Sequence, residues 1–392
     1  MPEAADPPYD DEALDPDLPY DGFDLRHAMA RTIREARPTI VAMPDPADVH
    51  PDHRATAACS LLALGDVLAE PDRRPGPRRG GAAATATSSR TLWPCPAATI
   101  VGSMRMAIVG RVVGIFRHPV KSMRGERIDE AWLAADGLAG DRGWAVRDDV
   151  VGEIRGAKKL PDLLRCTARY PEEPATGRIT AAEIGFPDGT RLRSDAAGVA
   201  GRLSALLGRP VSLWPRLPAE SREHYRRAFE EGVDPMEDLR QIFGRLPDEP
   251  LPDLSVFPPE LFELTSPAGT YFDAFPLHLV TTGHLGLLQR LAPGSSFDPL
   301  RFRPNLLVET AGEAASPPEF DWCGREVRIG DATVSVTVPC PRCVMTTLPQ
   351  GDLPKDPAVL RTIVRESDQA VGVYANVATA GRVAVGDAVE LS

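Results

Sequence analysis

The spacing of apolar residues along the chain becomes regular at Met106 and stays regular to the C-terminus. Short runs rich in Val, Ile and Leu alternate there with Gly, Pro and Asp, a pattern that is typical of β-strands. We predict strands over Ile108–Ile115, Ile128–Leu133, Gly143–Arg147, Pro210–Trp214, Leu277–Thr281, Asn305–Val308, Glu326–Ile329, Thr333–Val338, Val371–Val377 and, as closing strands, Val383–Leu391.

Helical spacing occurs at fewer places. Val199, Leu203 and Leu207 repeat at four-residue intervals before Gly208, which predicts a helix over Asp195–Leu207. Further helices are predicted at 220–231, 235–243, Gly283–Leu291 and Pro357–Arg365. Strands outnumber helices, so we expect an α+β fold with a barrel-like or sandwich-like sheet and peripheral helices.

The first 105 residues have a different texture. Residues 1–70 open with an acidic, Pro-rich stretch and contain two helix candidates, Leu25–Ala36 and His53–Leu68. Residues 71–105 combine Pro, Gly and an Ala/Thr tract, and such a composition buries too little apolar surface to offset its ordering entropy. We predict a disordered linker over 71–105.

Composition excludes several classes of function. A formal net charge of -12 over 392 residues repels phosphate backbones, so we expect no nucleic-acid partner. Six cysteines are too few for a disulfide scaffold and indicate a reducing, cytoplasmic setting. The acidic N-terminus is unlike a signal peptide, and no apolar run of about 18 residues predicts a membrane span.

Candidate chemistry begins with Cys340-Pro341-Arg342-Cys343, which follows the predicted strand Thr333–Val338. A neighbouring cation such as Arg342 favours the thiolate, the form of cysteine that binds metals. The C-x-x-C spacing alone leaves three other interpretations open: half of a zinc knuckle, a redox dithiol, or two buried structural cysteines.

Cations stand at the ends of other predicted strands. Arg301 and Arg303 lie two residues apart just before Leu306, and two such side chains on an extended segment point to the same side and could hold a phosphate. Lys121 and Arg142 are further anion donors, although each of these charges taken singly could simply be solvated. Together with a soft thiolate they suggest a phosphate-bearing cofactor that carries a soft or high-valent metal.

Five segments occur in an order that resembles the MOSC proteins with an N-terminal β-barrel, which include the mitochondrial amidoxime-reducing component and its bacterial relatives. The segments are His118–Met123, Gly140–Trp144, Pro276–Thr282, Arg301–Val308 and Pro339–Thr346. The resemblance spans about 106–392 and implies an N-terminal barrel domain over 106–218 and a MOSC domain over 219–392.

The same resemblance implies a site for a molybdenum–molybdopterin cofactor. Cys343 would bind the metal and act as the catalytic residue. The positions that match the family's cofactor contacts are Lys121, Ser122, Arg142, Thr281, Arg303, Asn305, Pro341 and Arg342. At Pro341, where the family often carries a hydrogen-bonding side chain, only the backbone carbonyl could serve.

The activity that the resemblance implies is the reduction of small N-hydroxylated or N-oxide substrates by removal of oxygen. No cysteine follows Cys343, so a separate ferredoxin or reductase would supply the electrons. The alternative within the family is a protein that carries sulfur or handles the cofactor, without N-reductase turnover.

A third hypothesis comes from the N-terminal region. A short apolar run followed by His50-Pro51-Asp52-His53 resembles part of the PIG-L/LmbE zinc deacetylases, in which His53 would match a zinc ligand and His50 an oxyanion stabiliser. The family's upstream H-P-D-D motif is missing, and a site with one proper ligand holds zinc poorly. We therefore interpret 24–70 as a fragment and keep a zinc hydrolase as the least favoured hypothesis.

Overall fold

The computed structural model describes residues 107–174, 177–228 and 234–392, all within one compact unit that spans Thr99–Ser392. The linker predicted at 71–105, the two N-terminal helix candidates and the His50–His53 motif lie outside the described residues. Within the described residues, no helix is long and apolar enough to cross a membrane.

Short strands dominate the described part of the chain. In chain order they are β1 (Ala107–Arg117), β2 (Glu126–Ile128), β3 (Glu130–Ala134), β4 (Gly137–Leu138), β5 (Trp144–Asp148), β6 (Glu153–Ile154), β7 (Thr167–Arg169), β8 (Glu183–Gly185), β9 (Arg191–Arg193), β10 (Val211–Pro215), β11 (Leu277–Thr281), β12 (Leu306–Glu309), β13 (Glu326–Ile329), β14 (Ala332–Pro341), β15 (Ala370–Thr379), β16 (Gly381–Ala384) and β17 (Ala388–Leu391).

Helices are few and lie between these strands. The α-helices are α1 (Val199–Leu207), α2 (Arg222–Tyr225), α3 (Pro235–Phe243), α4 (Thr282–Leu291), α5 (Pro299–Phe302) and α6 (Pro357–Glu366). Single 3-10 turns occupy Pro161–Arg165, Pro259–Phe262, Pro318–Trp322 and Val344–Thr347. The balance of elements confirms the predicted β-rich α+β fold.

The largest sheet closes on itself. Its strands run in the order β12, β11, β15, β14, β13, β17, β1, and β1 pairs again with β12, while β2 extends β1 on the side. All these pairings are antiparallel except β11–β12. Closure leaves no open edge in the ring, which removes the unpaired backbone groups that an edge strand would expose.

The barrel interior is filled by alternate residues of each strand. Along β14, Ala332, Val334 and Val336 are buried while the residues between them are partly exposed, as the two-residue period of a strand requires. These side chains pack with Leu277, Leu279 and other apolar residues of β1, β11, β12, β13 and β15 in one core. Beyond Val336 the β14–β15 register shifts twice, so the strand becomes irregular as it approaches Cys340.

A second apolar core lies under the sheets β10-β5-β6 and β7-β8-β9. It joins Val120 and Met123 of the turn after β1 to Trp144 of β5 and Leu203 of α1. The turn after β1 therefore touches this core while β1 itself belongs to the barrel. That turn carries Lys121 and Ser122.

Most predicted elements are confirmed, and the misses have local causes. The strand predicted over Ile128–Leu133 breaks at Asp129 into β2 and β3, and the helix predicted from Asp195 begins only at Val199. The helix predicted over 220–231 is described only as the single turn Arg222–Tyr225. The strands β6 to β9 have two or three residues each, too short for a periodic pattern to reveal.

Candidate functional site

The two cysteines of the C-x-x-C segment lie in different surroundings. Cys340 is buried near the end of β14, and burial is the main reason that the pKa of its thiol is raised. Cys343 is 8% exposed and precedes the 3-10 turn Val344–Thr347, where its carbonyl accepts a hydrogen bond from Thr346 Oγ1 at 3.0 Å. Of the two, Cys343 is the more exposed thiol.

Arg342 lies between them and is almost fully buried. Its amide donates to Gln369 O at 2.8 Å. Its guanidinium donates to Phe302 O at 3.0 Å and to Cys340 Sγ at 2.9 Å. The direct contact of Arg342 is thus with Cys340, and its effect on Cys343 is an electrostatic one over a longer distance.

Arg301 and Arg303 do not act as the pair that the sequence predicts. Arg301 lies in helix α5, not in an extended segment. It donates to Ser296 O, Thr346 O, Leu348 O and Pro354 O at 2.8–3.3 Å. The prediction that it shares a phosphate with its neighbour is wrong, because its donors bind backbone carbonyls and brace the segment after Cys343.

Arg303 is different. Its backbone is left-handed, at φ +54°, and its guanidinium donates to Met123 O at 2.5 Å. Within the described residues its buried Nη2 has no hydrogen-bond partner. Burial, with repulsion from Arg142, lowers the pKa of Arg303 to about 9. A buried guanidinium with a spare donor is poised for an anion.

Lys121 and Ser122 lie in the turn that follows β1. Lys121 Nζ donates to Tyr271 O and to Asp273 Oδ1, both at 2.8 Å, and Asp273 also pairs with Lys158 at 3.4 Å. Burial would raise the pKa of Asp273, but the two lysines outweigh it and hold that pKa well below its ordinary value. Ser122 Oγ accepts a hydrogen bond from Ala157 N at 2.8 Å.

Arg142 and Asn305 meet at Asp141. Asn305 Nδ2 donates to Asp141 Oδ2 at 3.0 Å, Arg142 Nη1 donates to the same oxygen, and the amide of His118 donates to Asp141 Oδ1 at 2.6 Å. Asn305 Oδ1 also accepts from His278 N at 3.1 Å. Asn305 thereby ties three segments of the predicted motif together through its side chain.

Thr281 stands apart from this group. On β11 it shares a face with Leu277 and Leu279, which point into the barrel. Its hydroxyl donates to Glu319 Oε2 at 2.6 Å and accepts from His284 N at 3.1 Å. The role predicted for Thr281 in holding the cofactor stays a prediction, and this placement does not favour it.

Six cations from distant parts of the sequence approach one another, and three of them, Lys158, Arg245 and Arg342, interact electrostatically with Cys343. This cationic cluster consists of Lys121, Arg142, Lys158, Arg245, Arg303 and Arg342. Electrostatic interactions link its members to one another or to Cys343. Asp141 and Asp273 are the acids in contact with it. Pro341, at the end of β14, is partly exposed next to Arg342.

The cluster keeps nearby imidazoles neutral. Burial, with repulsion from Arg342, lowers the pKa of His278 to about 3. Burial, with Arg303 and Arg142, lowers the pKa of His118 well below its ordinary value. Both shifts have the sign expected where positive charge already exceeds negative charge.

Backbone strain concentrates at the same place. Among the described residues, five that are not glycine have φ between +44° and +68°: Ser122, Arg142, Arg303, Asp368 and Gln369. Each such residue costs of order 1 kcal/mol, and such strain gathers at functional sites. Three of the five are predicted site residues, and the other two form the turn whose carbonyl binds the amide of Arg342.

Several residues of this site were not predicted from the sequence. Lys158, Arg245 and Asp273 lie outside the five motifs, and ordinary charged residues in loops give no signal of where they fold to. Asp141 stands inside a recognised motif, so its place beside Arg142 could have been predicted. Gln369 offers no periodic or compositional signal.

The geometry suits a cofactor that brings both a metal and an anionic group. Within the described residues, no group of three or more His, Cys, Asp or Glu side chains is arranged to hold a metal ion. The same part of the chain offers one partly accessible thiol next to buried cations. Arg303 Nη2 and Arg342 Nε are donors there without a protein partner. This thiol and these donors fit a cofactor that carries a metal and a phosphate.

Comparison with known families matches the two parts of the described chain. The model of the MOSC domain matches residues 268–390, and the model of the MOSC N-terminal beta barrel domain matches residues 109–197. Neither match includes 24–70, so the resemblance of that region to zinc deacetylases is unsupported. No curated protein matches the chain.

Solved structures give more distant similarities. The YUAD protein from Bacillus subtilis is 12% identical, over 72% of this chain and 96% of its own, with a TM-score of 0.34. YiiM from Geobacillus stearothermophilus is 24% identical over 30% of this chain, with a TM-score of 0.22, and YiiM from Escherichia coli is 19% identical over 35%, with a TM-score of 0.24. This chain spans 54% and 61% of those two YiiM chains.

Proposed function

Because this chain belongs to the MOSC family, whose domains are linked to molybdenum-cofactor binding, we propose that it holds a molybdenum–molybdopterin cofactor through Cys343. We further propose that it reduces small N-hydroxylated or N-oxide substrates with electrons from a separate ferredoxin or reductase. A reduced, metal-binding Cys343 agrees with the cytoplasmic setting that cysteine usage predicts.

One observation carries this proposal: a thiol near solvent lies beside a cationic cluster that has unpaired buried donors. Buried guanidinium groups are costly unless an anion pairs with them. Arg303 Nη2 and Arg342 Nε lack a partner within the described residues, and a phosphate would supply one. A ligand that carries negative charge would account for this surplus of positive charge.

Each residue of the site has a part in holding the cofactor. Arg303, Arg142 and Lys121 would bind the phosphate and other anionic groups, since all three are cations with N–H donors. Asn305 orients Arg142 through their shared contact with Asp141. Ser122 holds the turn of Lys121 against Ala157. Cys343 would bind the metal through its sulfur, since the thiolate is the form of cysteine that binds metals.

The bound cofactor would supply the two-electron redox chemistry that reduction of an N–O bond requires, and protein groups bind and orient it. Water is the product that carries the oxygen away, so two protons must reach the site. Lys158, which interacts electrostatically with Cys343 and pairs with Asp273, is partly exposed to solvent. Lys158 therefore offers a positively charged N–H donor toward that side of the site.

The decisive measurement is bound molybdenum per chain after expression in a host that makes molybdopterin. We expect near-stoichiometric molybdenum in the wild type and almost none in Cys343→Ser, since the thiolate is the metal's protein ligand. Cys323→Ser is the matched control because Cys323 is a free cysteine outside the cluster, and it should keep its molybdenum. Equal molybdenum in both variants would refute the assignment of Cys343.

A second measurement separates reductase from sulfur carrier or cofactor handler. Reduced, molybdenum-loaded protein should be reoxidised when an amidoxime or hydroxylamine is added, with one amidine or amine formed per two electrons. Loaded protein that leaves these substrates untouched would favour the sulfur-carrying or cofactor-handling alternative.

A further inference from the structure

A chain of hydrogen bonds runs behind the cationic cluster, from the start of α4 to the turn before β15. Thr281 Oγ1 donates to Glu319 Oε2 at 2.6 Å. Glu319 Oε1 lies 2.8 Å from His284 Nδ1, and His284 Nε2 lies 2.8 Å from Ser367 Oγ. His284 and Glu319 are fully buried, and Ser367 is 3% exposed.

The distances resemble those of a Ser-His-acid triad, but a hydrolase is excluded by the burial and by the direction of the serine proton. Ser367 Oγ donates to Ala370 O at 2.8 Å. Pro341, the cross-strand partner of Ala370, has no N–H to offer that carbonyl. Because the hydroxyl hydrogen is used there, Ser367 can only accept from His284.

Counting donors shows that each polar atom of the pair has a partner. Ser367 gives its only hydrogen to Ala370 O, so Nε2 of His284 donates to Ser367 Oγ. Glu319 Oε2 accepts from Thr281, and one hydrogen lies between Glu319 Oε1 and Nδ1 of His284. Breaking the pair is expensive because either partner alone would leave an unpaired polar group buried away from water.

The turn held by this pair is the one that holds Arg342. Between Ser367 and Ala370 lie Asp368 and Gln369, both left-handed at φ +44° and +64°. Gln369 O accepts the amide of Arg342 at 2.8 Å, and Gln369 Oε1 accepts Arg245 Nε at 3.0 Å. Two consecutive strained residues persist only where their surroundings hold them, and the Ser367 side chain bonds across the base of this turn.

We propose that the buried, hydrogen-bonded pair of His284 and Glu319 positions Arg342 and the Cys343 segment, acting through Ser367 and the Asp368–Gln369 turn. Both are positioning residues, since neither reaches the site itself. Thr281 belongs to this pair as the donor to Glu319, which gives it a role other than cofactor contact. The importance of the pair for a cofactor rests on the proposed function, but the positioning itself does not.

The test compares two buried serine hydroxyls in cofactor-free protein. Ser367→Ala removes the hydroxyl at the turn, and Ser194→Ala removes one that is equally buried and accepts from Ala182 N at 2.9 Å. Each should lower Tm by about 2–6 °C. Only Ser367→Ala should raise the rate at which iodoacetamide alkylates Cys343, by about tenfold, because the segment opens locally. Glu319→Gln, which keeps the shape and replaces one of the two oxygens that bind Thr281 and His284, should act in the same direction.

Equal alkylation rates in Ser367→Ala and Ser194→Ala at equal loss of Tm would overturn the proposal. If Ser367→Ala does not fold, nitrogen NMR of the wild type decides instead: Nε2 of His284 should carry the proton that it donates to Ser367, and an unprotonated Nε2 refutes the chain of hydrogen bonds. Molybdenum is measured separately. Wild type without molybdenum but with the alkylation difference would refute the proposed function and leave this inference standing.

Discussion

The barrel interior and the cationic cluster lie on some of the same strands, but they differ in the side chains that they bury and in the regularity of their backbone. On β11, Leu277 and Leu279 point into an apolar core. His278, on the other face, donates from its amide to Asn305 Oδ1 and from its ring Nε2 to Val371 O. The interior has regular backbone and apolar contacts. The cluster has buried like charges. The five left-handed non-glycine residues among the described positions belong to the cluster or adjoin it, and none belongs to the barrel core.

The difference shows where folding free energy is gained and where it is used. Burial of apolar side chains in the barrel stabilises the fold by about 25 cal/mol per Å². The cluster works against folding, since burial lowers the pKa of Arg303 to about 9 and of His278 to about 3. A rigid barrel can hold a costly arrangement of charges that a ligand later compensates.

The largest loss of stability should come from replacing Arg301 with methionine, and the same substitution at Arg303 serves as the comparison. Arg301→Met leaves four backbone carbonyls without their donor, so the free energy of unfolding should fall by about 3–5 kcal/mol. Arg303→Met removes a buried cation that is repelled by Arg142 and should change stability by no more than about 1 kcal/mol. Urea unfolding of cofactor-free protein measures both.

For retention of the cofactor, we expect the opposite order of the two substitutions. Arg303→Met should lower molybdopterin retention by about 100-fold at nearly unchanged stability, because a charged hydrogen-bond partner of the phosphate is lost. Equal destabilisation by both substitutions would mean that Arg303 is a structural residue like Arg301, and the distinction drawn between them would be wrong.

A smaller effect is expected where the two regions touch at Gly372. A Cβ there would lie 2.4 Å from Leu279 O and 2.5 Å from His278 Nε2, on a backbone with φ +74°. Gly372→Ala should lower the free energy of unfolding by about 3 kcal/mol, from left-handed strain plus steric overlap. Gly208→Ala is the control, since its φ is +67° but its Cβ meets open space, and it should cost only about 1 kcal/mol. Similar losses in thermal unfolding would show that close packing at Gly372 is unimportant.

The same contrast explains what could be predicted from sequence. The barrel strands follow from apolar periodicity, because a two-residue period is a local property of the chain: β11 and β13 have the predicted bounds. The helix over 235–243 is also confirmed, with Asp234 capping it before Pro235. Local rules suffice wherever a backbone follows its own propensity.

The cluster depends on contacts that no local rule contains. The sequence places Arg301 and Arg303 two residues apart, but only the fold shows that one is in α5 and the other is left-handed. Lys158 and Asp273 are 115 positions apart and meet only in the folded chain. The motif order predicted which segments converge, whereas the division of labour among their side chains required the structure.

Lowering the pH should reduce the free energy of unfolding, because the buried histidines are neutral in the folded chain. This effect should be smaller than that of Gly372→Ala. The pKa of His278 is about 3 in the folded chain against an ordinary 6.5. Above about pH 6.5 the ring is therefore neutral in both states, and its titration no longer lowers the free energy of unfolding. Below that, the unfolded ring binds the proton first, and the free energy of unfolding falls by about 1.4 kcal/mol per pH unit until near pH 3. His278→Gln should therefore lose about 2 kcal/mol less than wild type between pH 6.5 and 5, measured by urea unfolding. Parallel curves would contradict the assignment.

The smallest expected effect is also the most direct probe of the cluster. Inorganic phosphate should raise the Tm of cofactor-free protein by about 2–4 °C at a concentration tenfold above its Kd, since an anion that binds only the folded state stabilises it by about 1.4 kcal/mol. Chloride at the same ionic strength is the control for general screening. The phosphate effect should vanish in Arg303→Met, where the spare donor is gone. It should persist in Cys343→Ser, because the thiol serves the metal and not the phosphate. A phosphate effect that Arg303→Met leaves intact would place the anion elsewhere and separate the cluster from the cofactor.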